Sequence, residues 1–540
     1  MTAPMNGSTD AIVIGSGPNG LAAANVLADA GWKVLVLEGA DAPGGAVRSA
    51  EITAPGFLND LFSSFYPLGA VSPVWEALDL EGHGLRWLRA PLVLANPTAD
   101  GPTAILSTDL DETAGRLDDF APGDGDAWRL LHEEWSRIAS PLIDALLTPF
   151  PPVRAGARLV ARLGSPAAVL EFARLAVISL RRLTDERFNG EGARLLLAGN
   201  LLHTDFSPES AGGMIPTLML AMVGQDHGWP VPEGGAQVLT DTLVRRLEQR
   251  GGRVVCNQRV SEIVVAGGRA VAVRTTSGDE FDAGRAVLAD VSAPALYQRL
   301  LDPQHVPAKV RSAMERFHWD EPSMKVDWAL SSPIPWKDAE VGRAGTVHIG
   351  LSLDELTRTS SELTRGLVPK DPFMLVGQMT VSDPSRSPAG TESAWAYCHV
   401  PRTTKGDAGA DGLTGSWDQR EVDLFAARME SRIEALAPGF RDTILARHIS
   451  TPASLEAVNP NLYGGAVGGG TAQLHQQLVF RPVPGTGRPE TPIKGLYLAS
   501  ASAHPGGGVH GVCGNNAARA AIWHDRLTRI GSAARRTITA

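Results

Sequence analysis

The residues with the clearest chemical pattern are the glycines that follow the first apolar segment. Ala11 to Ile14 is a short apolar run, typical of a strand buried on both faces, and the glycine-rich stretch Gly15 to Gly20 follows it directly. Where such a turn opens a helix, backbone N–H groups and the positive end of the helix dipole face the same point, which suits a pyrophosphate. The spacing therefore predicts a dinucleotide-binding loop.

Each residue type in this loop has its own predicted role. Gly15 permits the tight turn after the strand, Gly17 leaves room for the pyrophosphate, and Gly20 lets the helix pack closely on the sheet. Pro18 and Asn19, between these glycines, are predicted to contact the cofactor as well.

A carboxylate follows at the spacing that ribose binding requires. A helical pattern over Leu21–Ala30 is followed by a strand pattern over Lys33–Leu37, which ends at Glu38. Glu38 can accept hydrogen bonds from both ribose hydroxyls, and its charge disfavours a 2′-phosphate. The βαβ unit thus predicts an NAD or FAD site and does not separate the two.

A second glycine pair lies shortly after Glu38. Gly44 and Gly45 are followed three residues later by Arg48, a pattern that suits a loop closing over a second phosphate. The guanidinium would then approach the pyrophosphate or a flavin. The alternative is an ordinary turn followed by a surface arginine.

The chain resembles the phytoene-desaturase-like flavoproteins, relatives of the flavin amine oxidases. The similarity lies in Asp10–Arg48, in stretches between Trp229 and Asp290, and in Gly495–Ala518, while Gly464–Pro484 is similar to the branch of retinol saturases and pyridine nucleotide-disulphide oxidoreductase-like proteins. The resemblance implies FAD and an α/β fold. A Rossmann-type, glutathione-reductase-like domain would bind FAD beside a substrate domain of mixed sheet and helices.

The same resemblance implies site residues far from the first loop. Val260 would hold the adenine edge through its backbone. Ser502, Gly508 and Val509 would lie at the flavin, near the start of the last helix, whose dipole would stabilise the reduced anionic ring. Many desaturases and amine oxidases have a Gly-Asp pair where this chain has Ser500-Ala501, so that acid's contact is missing or is made differently here.

The chain of 540 residues is too long for one core. We predict a discontinuous FAD-binding domain of residues 1–75, 228–300 and 488–530. Residues 76–227 and 301–487 would form the substrate-binding domain with a helical cap.

His504 is the candidate catalytic acid or base, because it adjoins the C-terminal glycine loop and imidazole titrates near neutral pH. The alternative is a structural histidine that donates to a backbone carbonyl. Asp60, Phe62 and Tyr66 follow the Arg48 loop and either face the flavin or pack a connecting segment. We expect no metal site, since the sequence has neither HExxH nor a Cys/His cluster.

These patterns predict an FAD-dependent oxidoreductase that transfers hydride between flavin N5 and a C–C bond of a lipophilic, polyene- or isoprenoid-like substrate. The alternatives are an amine oxidase acting on C–N bonds and a flavoprotein with a mainly structural or regulatory role. No second Rossmann unit follows to hold a nicotinamide, so dioxygen, a quinone or a diffusing acceptor would take the electrons. The three cysteines are too far apart in sequence to form a local redox dithiol.

Composition and charge limit the classes of partner that we expect this protein to bind. The net charge of −10 lacks the basic footprint of a nucleic-acid-binding protein. Met1–Thr9 has no secretory pattern, so we expect a cytoplasmic protein. Residues 151–183 carry six arginines against one acid, interleaved with apolar residues, which predicts peripheral membrane contact or, alternatively, a solvated arginine face.

Overall fold

The computed structural model describes residues 9–539, so the first eight residues of the predicted FAD-binding domain lie outside the description. Its strands are β1 (Ala11–Ile14), β2 (Val34–Leu37), β3 (Ser49–Ala50), β4 (Asn59–Asp60), β5 (Trp87–Leu88), β6 (Leu92–Asn96), β7 (Ala104–Leu106), β8 (Val231–Pro232), β9 (Arg253–Val255), β10 (Val260–Ala266), β11 (Arg269–Thr275), β12 (Glu280–Asp282), β13 (Ala286–Ala289), β14 (Ser323–Leu330), β15 (Ala344–Ile349), β16 (Leu367–Val368), β17 (Met374–Gln378), β18 (Glu392–His399), β19 (Gly406–Asp407), β20 (Ile444–Ser450) and β21 (Leu496–Leu498).

The helices are α1 (Pro18–Asp29), α2 (Pro67–Ala70), α3 (Pro73–Ala77), α4 (Leu110–Asp118), α5 (Asp124–Leu147), α6 (Val153–Leu163), α7 (Pro166–Val177), α8 (Leu180–Arg187), α9 (Glu191–Leu201), α10 (Met214–His227), α11 (Ala236–Gln249), α12 (Ala293–Ala295), α13 (Ala308–Glu315), α14 (Leu353–Thr364), α15 (Met379–Ser382), α16 (Gln419–Leu436), α17 (Pro452–Val458) and α18 (Val512–Thr539). Short 3₁₀ turns such as Pro384–Arg386 connect some of these elements.

A five-stranded parallel sheet positions the glycine loop. Its strand order is β21-β13-β1-β2-β9, and every neighbouring pair is parallel. Alternate residues of β1 enter two different cores, one under α1 and α18 and one under the antiparallel sheet β10-β11-β12. Because both faces are covered, β1, β2 and β13 are continuous, fully buried apolar runs. This architecture confirms the predicted α/β fold with a Rossmann-type domain.

The second large sheet is a seven-stranded mixed sheet. Its order is β20-β14-β18-β17-β15-β6-β7, antiparallel except where β15 pairs with β6. One core contains apolar side chains of α5 and α9 together with β6 and β7, and another contains those of α16 together with β14. The sheet thus carries a helical cap over one part of its surface.

The strands of the two sheets come from different segments of the chain. The parallel sheet takes strands from all three segments predicted to bind FAD, whereas every strand of the seven-stranded sheet lies in the segments predicted to bind substrate. The domain boundaries themselves stay a prediction. In the part of the chain that the structure covers, no helix has both the length and the apolarity needed to cross a bilayer.

Candidate functional site

A cavity of about 690 Å³ is lined by residues of both sheets. This volume is within the range of roughly 300–1,000 Å³ that ligand sites occupy. We call the part around the glycine loop and Glu38 the loop part. The part lined by side chains of β14, β15, β17 and β18 is the sheet part.

Most of the residues predicted to hold the cofactor line this cavity. They are Gly15, Gly17, Pro18, Asn19, Glu38, Gly45, Arg48, Val260, Ser502, Gly508 and Val509. Gly20 and Gly44 are outside the lining, where their N–H groups donate to Asp290 Oδ2 at 2.8 Å and to the Ser16 carbonyl at 3.1 Å. The individual contacts to FAD stay predictions, but residues far apart in sequence lie around one space.

The loop needs its glycines because there is no room for side chains. A Cβ on Gly20 would lie 2.3 Å from the Gly15 carbonyl oxygen, and one on Gly17 would lie 2.7 Å from Asp290 Oδ2. Gly45 has φ +57° and would place a Cβ 3.0 Å from the Gly17 Cα. Backbone is therefore the surface that a pyrophosphate would meet.

Glu38 is held in place by the neighbouring backbone. Its Oε2 accepts from the Ser16 N–H at 2.9 Å and from the Ser16 hydroxyl at 2.6 Å, while Oε1 accepts from the Ala40 N–H at 2.8 Å. The carboxylate is thus oriented at the cavity wall, where a ribose would use its remaining acceptor capacity.

Asp290 is a site residue that sequence reasoning missed. It follows β13 directly and lies beneath the loop, with its carboxylate accepting from the Gly20 N–H. Burial raises the pKa of Asp290 to about 7, and the negative charge of Glu38 adds to the effect. Its position at the carboxyl end of the strand beside β1 was the available signal.

The sheet part has an aromatic and aliphatic wall, beside which Ser323, Lys325 and Thr346 also line the cavity. Phe65, Trp229, Leu375, Trp395 and Tyr397 all line it. The rings of Trp395 and Tyr397 are stacked, with centroids 6.0 Å apart and planes at 23°, and Phe65 lies 6.2 Å from Trp395. Such a wall favours a flat or extended apolar ligand.

Lys325 is the cation of this wall. It is buried on β14, donates from Nζ to the Asp60 carbonyl at 2.8 Å and forms an ion pair with Asp327. The ammonium lies 5.8 Å from the centroid of Trp395. Among the described residues that line the cavity, the carboxylates are Glu38 and Asp290, both in the loop part.

Two imidazoles lie beside the aromatic wall. Nε2 of His203 is 2.9 Å from Nε2 of His348, and His203 also contacts Trp229 edge-on. Burial lowers the pKa of His203 to about 3 and that of His348 well below its ordinary value. Both rings are therefore neutral, so one ring donates to the other.

The candidate acid or base His504 does not line the cavity. Its ring is buried, with Nε2 2.9 Å from the carbonyl oxygen of Thr148, and burial lowers its pKa. This is the geometry of the structural alternative, a histidine that donates to backbone. Of the three residues after the Arg48 loop, Phe62 lines the cavity, Asp60 is buried in an ion pair with Arg386, and Tyr66 is buried in a hydrophobic core.

The residues present fit FAD. The glycine cradle suits a pyrophosphate, Glu38 suits a ribose, and the cavity continues from them along Ser502 and Gly508 to an apolar wall. An elongated two-part nucleotide with a flat ring matches this sequence of surfaces.

Comparison with known proteins agrees with this geometry. A family model described as flavin containing amine oxidoreductase matches residues 19–393. The pyridine nucleotide-disulfide oxidoreductase domain-containing protein 2 of Rattus norvegicus is 27% identical, over 94% of this chain and 92% of the relative. The lycopene-forming phytoene desaturase of Pseudescherichia vulneris is 26% identical, over 96% and 99%.

A solved structure shares the fold. The cyclohexylamine oxidase of Brevibacterium oxydans superimposes with a TM-score of 0.58 at 17% identity, over 96% of this chain and all of that one (100%).

Proposed function

Because the chain belongs to the flavin containing amine oxidoreductase family, with FAD as its cofactor, we propose that this FAD-dependent oxidoreductase dehydrogenates a C–C bond of an uncharged, lipophilic substrate. The substrate class would be a polyene or isoprenoid. When bound, FAD would supply a hydride acceptor at flavin N5, and the residues of this chain would supply binding, orientation and electrostatics. The similarity to a phytoene desaturase supports this class of bond.

The observation that carries the proposal is the lining of the sheet part. Its aromatic wall offers apolar surface, and its charged group is the Lys325 ammonium. Asp327 already pairs with Lys325, and the described residues that line the sheet part include no further carboxylate, so a protonated amine would find no acidic partner there. An uncharged substrate needs no acidic partner.

The chain's residues would act by position. Trp395 and Tyr397 would stack on the substrate, and Phe65 would close the same wall. Together they would hold a C–H bond toward the flavin and exclude water from it.

Anaerobic mixing of the FAD-loaded protein with a panel of substrates tests this proposal. A polyene hydrocarbon or an isoprenoid alcohol should bleach the visible band of oxidised flavin, and primary amines and polyamines should not. Trp395→Leu should slow bleaching at least about tenfold while FAD stays bound. Trp523→Leu, at a tryptophan that is 60% exposed, is the control.

Amine oxidation is the second candidate, because the aromatic pair Trp395 and Tyr397 is also a surface on which an amine could lie. Bleaching by amines, with peroxide release in air, would replace our proposal with this one. Bound FAD that no panel member reduces would instead favour a structural or regulatory role.

We also propose that α6 and α7 rest on an anionic lipid surface. Val153, Ala157 and Val160 recur at helical spacing on α6, and all three are exposed. On α7 the exposed apolar residues include Ala167, Leu170, Ala173 and Val177, of which Leu170 is 72% exposed.

Charge favours the same partner. Arg154 and Arg162 on α6 are exposed beside the apolar stripe, and neither has an acidic partner within the described part of the chain. Arg158 is paired with Asp144. A basic helix pair with an outward apolar stripe, in a chain of net charge −10, fits anionic headgroups and the acyl layer beneath them.

A further inference from the structure

Arg481 is a buried cation whose hydrogen bonds go to carbonyl oxygens. Its side chain is 0% exposed. Nε and Nη2 donate to the Ala501 carbonyl at 3.0 and 2.7 Å, Nη1 donates to that of Thr471 at 2.9 Å, and Nη2 donates to that of Gly468 at 3.0 Å. Within the described residues, no carboxylate lies at ion-pair distance from this guanidinium.

Arg386 shows what a compensated arginine looks like in the same protein. It is equally buried, but its guanidinium contacts the carboxylates of Asp60 at 2.6 Å and Asp383 at 3.2 Å. Leaving a buried charge without a paired countercharge costs several kcal/mol. Carbonyl dipoles hold the charge of Arg481 in place, while the carboxylates of Asp320 and Asp205 act on it from a distance and accept hydrogen bonds from backbone N–H groups.

This charge lies directly behind the cavity wall. Ala501, whose carbonyl it binds, lines the cavity, as do Ser502 and Gly469. The Ser502 hydroxyl donates to the Gly469 carbonyl at 2.9 Å, which ties the two segments together. Arg481 therefore supports the part of the wall where Ser502 is predicted to meet the flavin.

The Asp320 carboxylate binds the backbone of the glycine-rich segment 467–470, which also contains the Gly468 carbonyl bound by Arg481. Asp320 accepts from the N–H groups of Val467 at 2.8 Å, Gly468 at 2.7 Å and Gly470 at 3.1 Å. It binds backbone and not the guanidinium. The segment thus places N–H groups toward an anion and the Gly468 carbonyl toward Arg481.

We propose that Arg481 supplies a fixed positive charge that raises the reduction potential of the bound flavin. With FAD bound, substrate oxidation would transfer a hydride from carbon to N5, the substrate would release a proton to solvent, and the reduced flavin would carry the negative charge. A cation held in a wall of low dielectric stabilises that charge without reorganisation. The inference concerns the flavin and does not depend on which substrate is oxidised.

Three variants separate the charge of Arg481 from its hydrogen bonds. Arg481→Gln removes the charge, and Arg481→Lys keeps it with fewer donors. Arg402→Gln is the matched control, since Arg402 also donates to carbonyls, those of Asp320 and Tyr463, but is exposed to solvent. All three are compared with the wild-type FAD-loaded protein.

Two readouts need no substrate. One is the midpoint potential of the flavin, titrated anaerobically against a reference dye. The other is the Kd for sulfite, whose sulfur lone pair forms a bond to N5 and leaves negative charge on the ring. We expect R481Q to lower the midpoint potential by about 30 mV, which corresponds to about a tenfold change for a two-electron couple. The Kd for sulfite should rise about tenfold. R481K and R402Q should stay close to wild type.

An unchanged R481Q potential would overturn the proposal, and so would an R481K shift as large as that of R481Q, because the hydrogen bonds would then matter more than the charge. Asp320→Asn provides an independent arm if R481Q does not retain FAD. Removing that anion should tighten sulfite binding, so equal or weaker binding contradicts the proposed electrostatics. The results for these Arg481 and Asp320 variants do not test which class of substrate the protein oxidises.

Discussion

Glu38 accepts hydrogen bonds from Ser16 and Ala40 and also faces the predicted ribose position. Its charge makes these charge-assisted bonds, which are stronger than neutral ones. Replacing the carboxylate by an amide keeps the shape and removes the charge, so it isolates this contribution.

Glu38→Gln should weaken FAD binding to the apoprotein about tenfold, or roughly 1.4 kcal/mol, because a ribose hydroxyl then meets a weaker acceptor. Flavin fluorescence titration measures the change. Glu51→Gln removes the same charge from an exposed neighbour and should leave the affinity unaltered. Equal affinities for Glu38→Gln and wild type would contradict a ribose role.

The raised pKa of Asp290 should make the folding stability of the protein depend on pH. Burial raises its pKa to about 7, above the value near 3.9 of an unfolded chain, so folding favours the protonated form. Its contribution to stability is present at low pH and is lost as the pH rises through 7. Between pH 8 and pH 5 the apoprotein should gain on the order of 2 kcal/mol from this group.

Asp290→Asn should remove that gain, which urea unfolding at both pH values would detect. Burial also raises the pKa of Glu392 to about 7, so only the difference between wild type and variant reports on Asp290. The same pH dependence in both proteins would show that the Asp290 pKa is not raised.

At the scale of elements, the paired helices α6 and α7 make the next prediction. Leu170→Gln combined with Val177→Gln should reduce co-sedimentation with phosphatidylglycerol-containing vesicles about tenfold, because two exposed apolar side chains no longer enter the lipid. The melting temperature should not change. Leu445→Gln, at an exposed leucine of β20, is the control.

If wild type and the double variant sediment equally, or if neither binds anionic vesicles, the helices do not contact lipid. Raising the salt concentration should weaken wild-type binding, since exposed arginines contribute through screened charge.

At the scale of the whole molecule, Asp60 and Arg386 connect distant segments. The Asp60 carboxylate also accepts from the Ser49 hydroxyl at 2.6 Å and from the Ala236 N–H at 2.9 Å, so it joins the hairpin β3–β4, α11 and the turn Pro384–Arg386. Although burial opposes it, Arg386 holds the pKa of Asp60 below its ordinary value.

Asp60→Ala should destabilise the protein by about 3–5 kcal/mol, because Arg386 loses a buried partner. Denaturant unfolding measures this loss. Asp111→Ala breaks the exposed pair with Arg129 and should cost at most about 1 kcal/mol. A loss below 1 kcal/mol at Asp60 would mean that this network does not couple the segments.

The sequence by itself determined the nucleotide half of the site. The glycine loop, Glu38 and the strand runs around them are local patterns, and backbone geometry forces each of them within some 30 residues. The first two parallel strands were predicted from the apolar run Ala11–Ile14 and the strand pattern Lys33–Leu37. The resemblance then favoured FAD over NAD, and the flavin family model that matches residues 19–393 confirms FAD.

Only the tertiary structure decided the chemistry of the other half. Lys325 and the His203–His348 pair belong to no motif identified in the sequence, and the stretch Gly464–Pro484 does not show that Arg481 is buried, because distant segments make these environments. His504 illustrates the same limit, since its neighbour Thr148 lies 356 residues away and turns a candidate acid or base into a backbone contact. Burial, charge pairing and pKa depend on such contacts, and a linear pattern does not contain them.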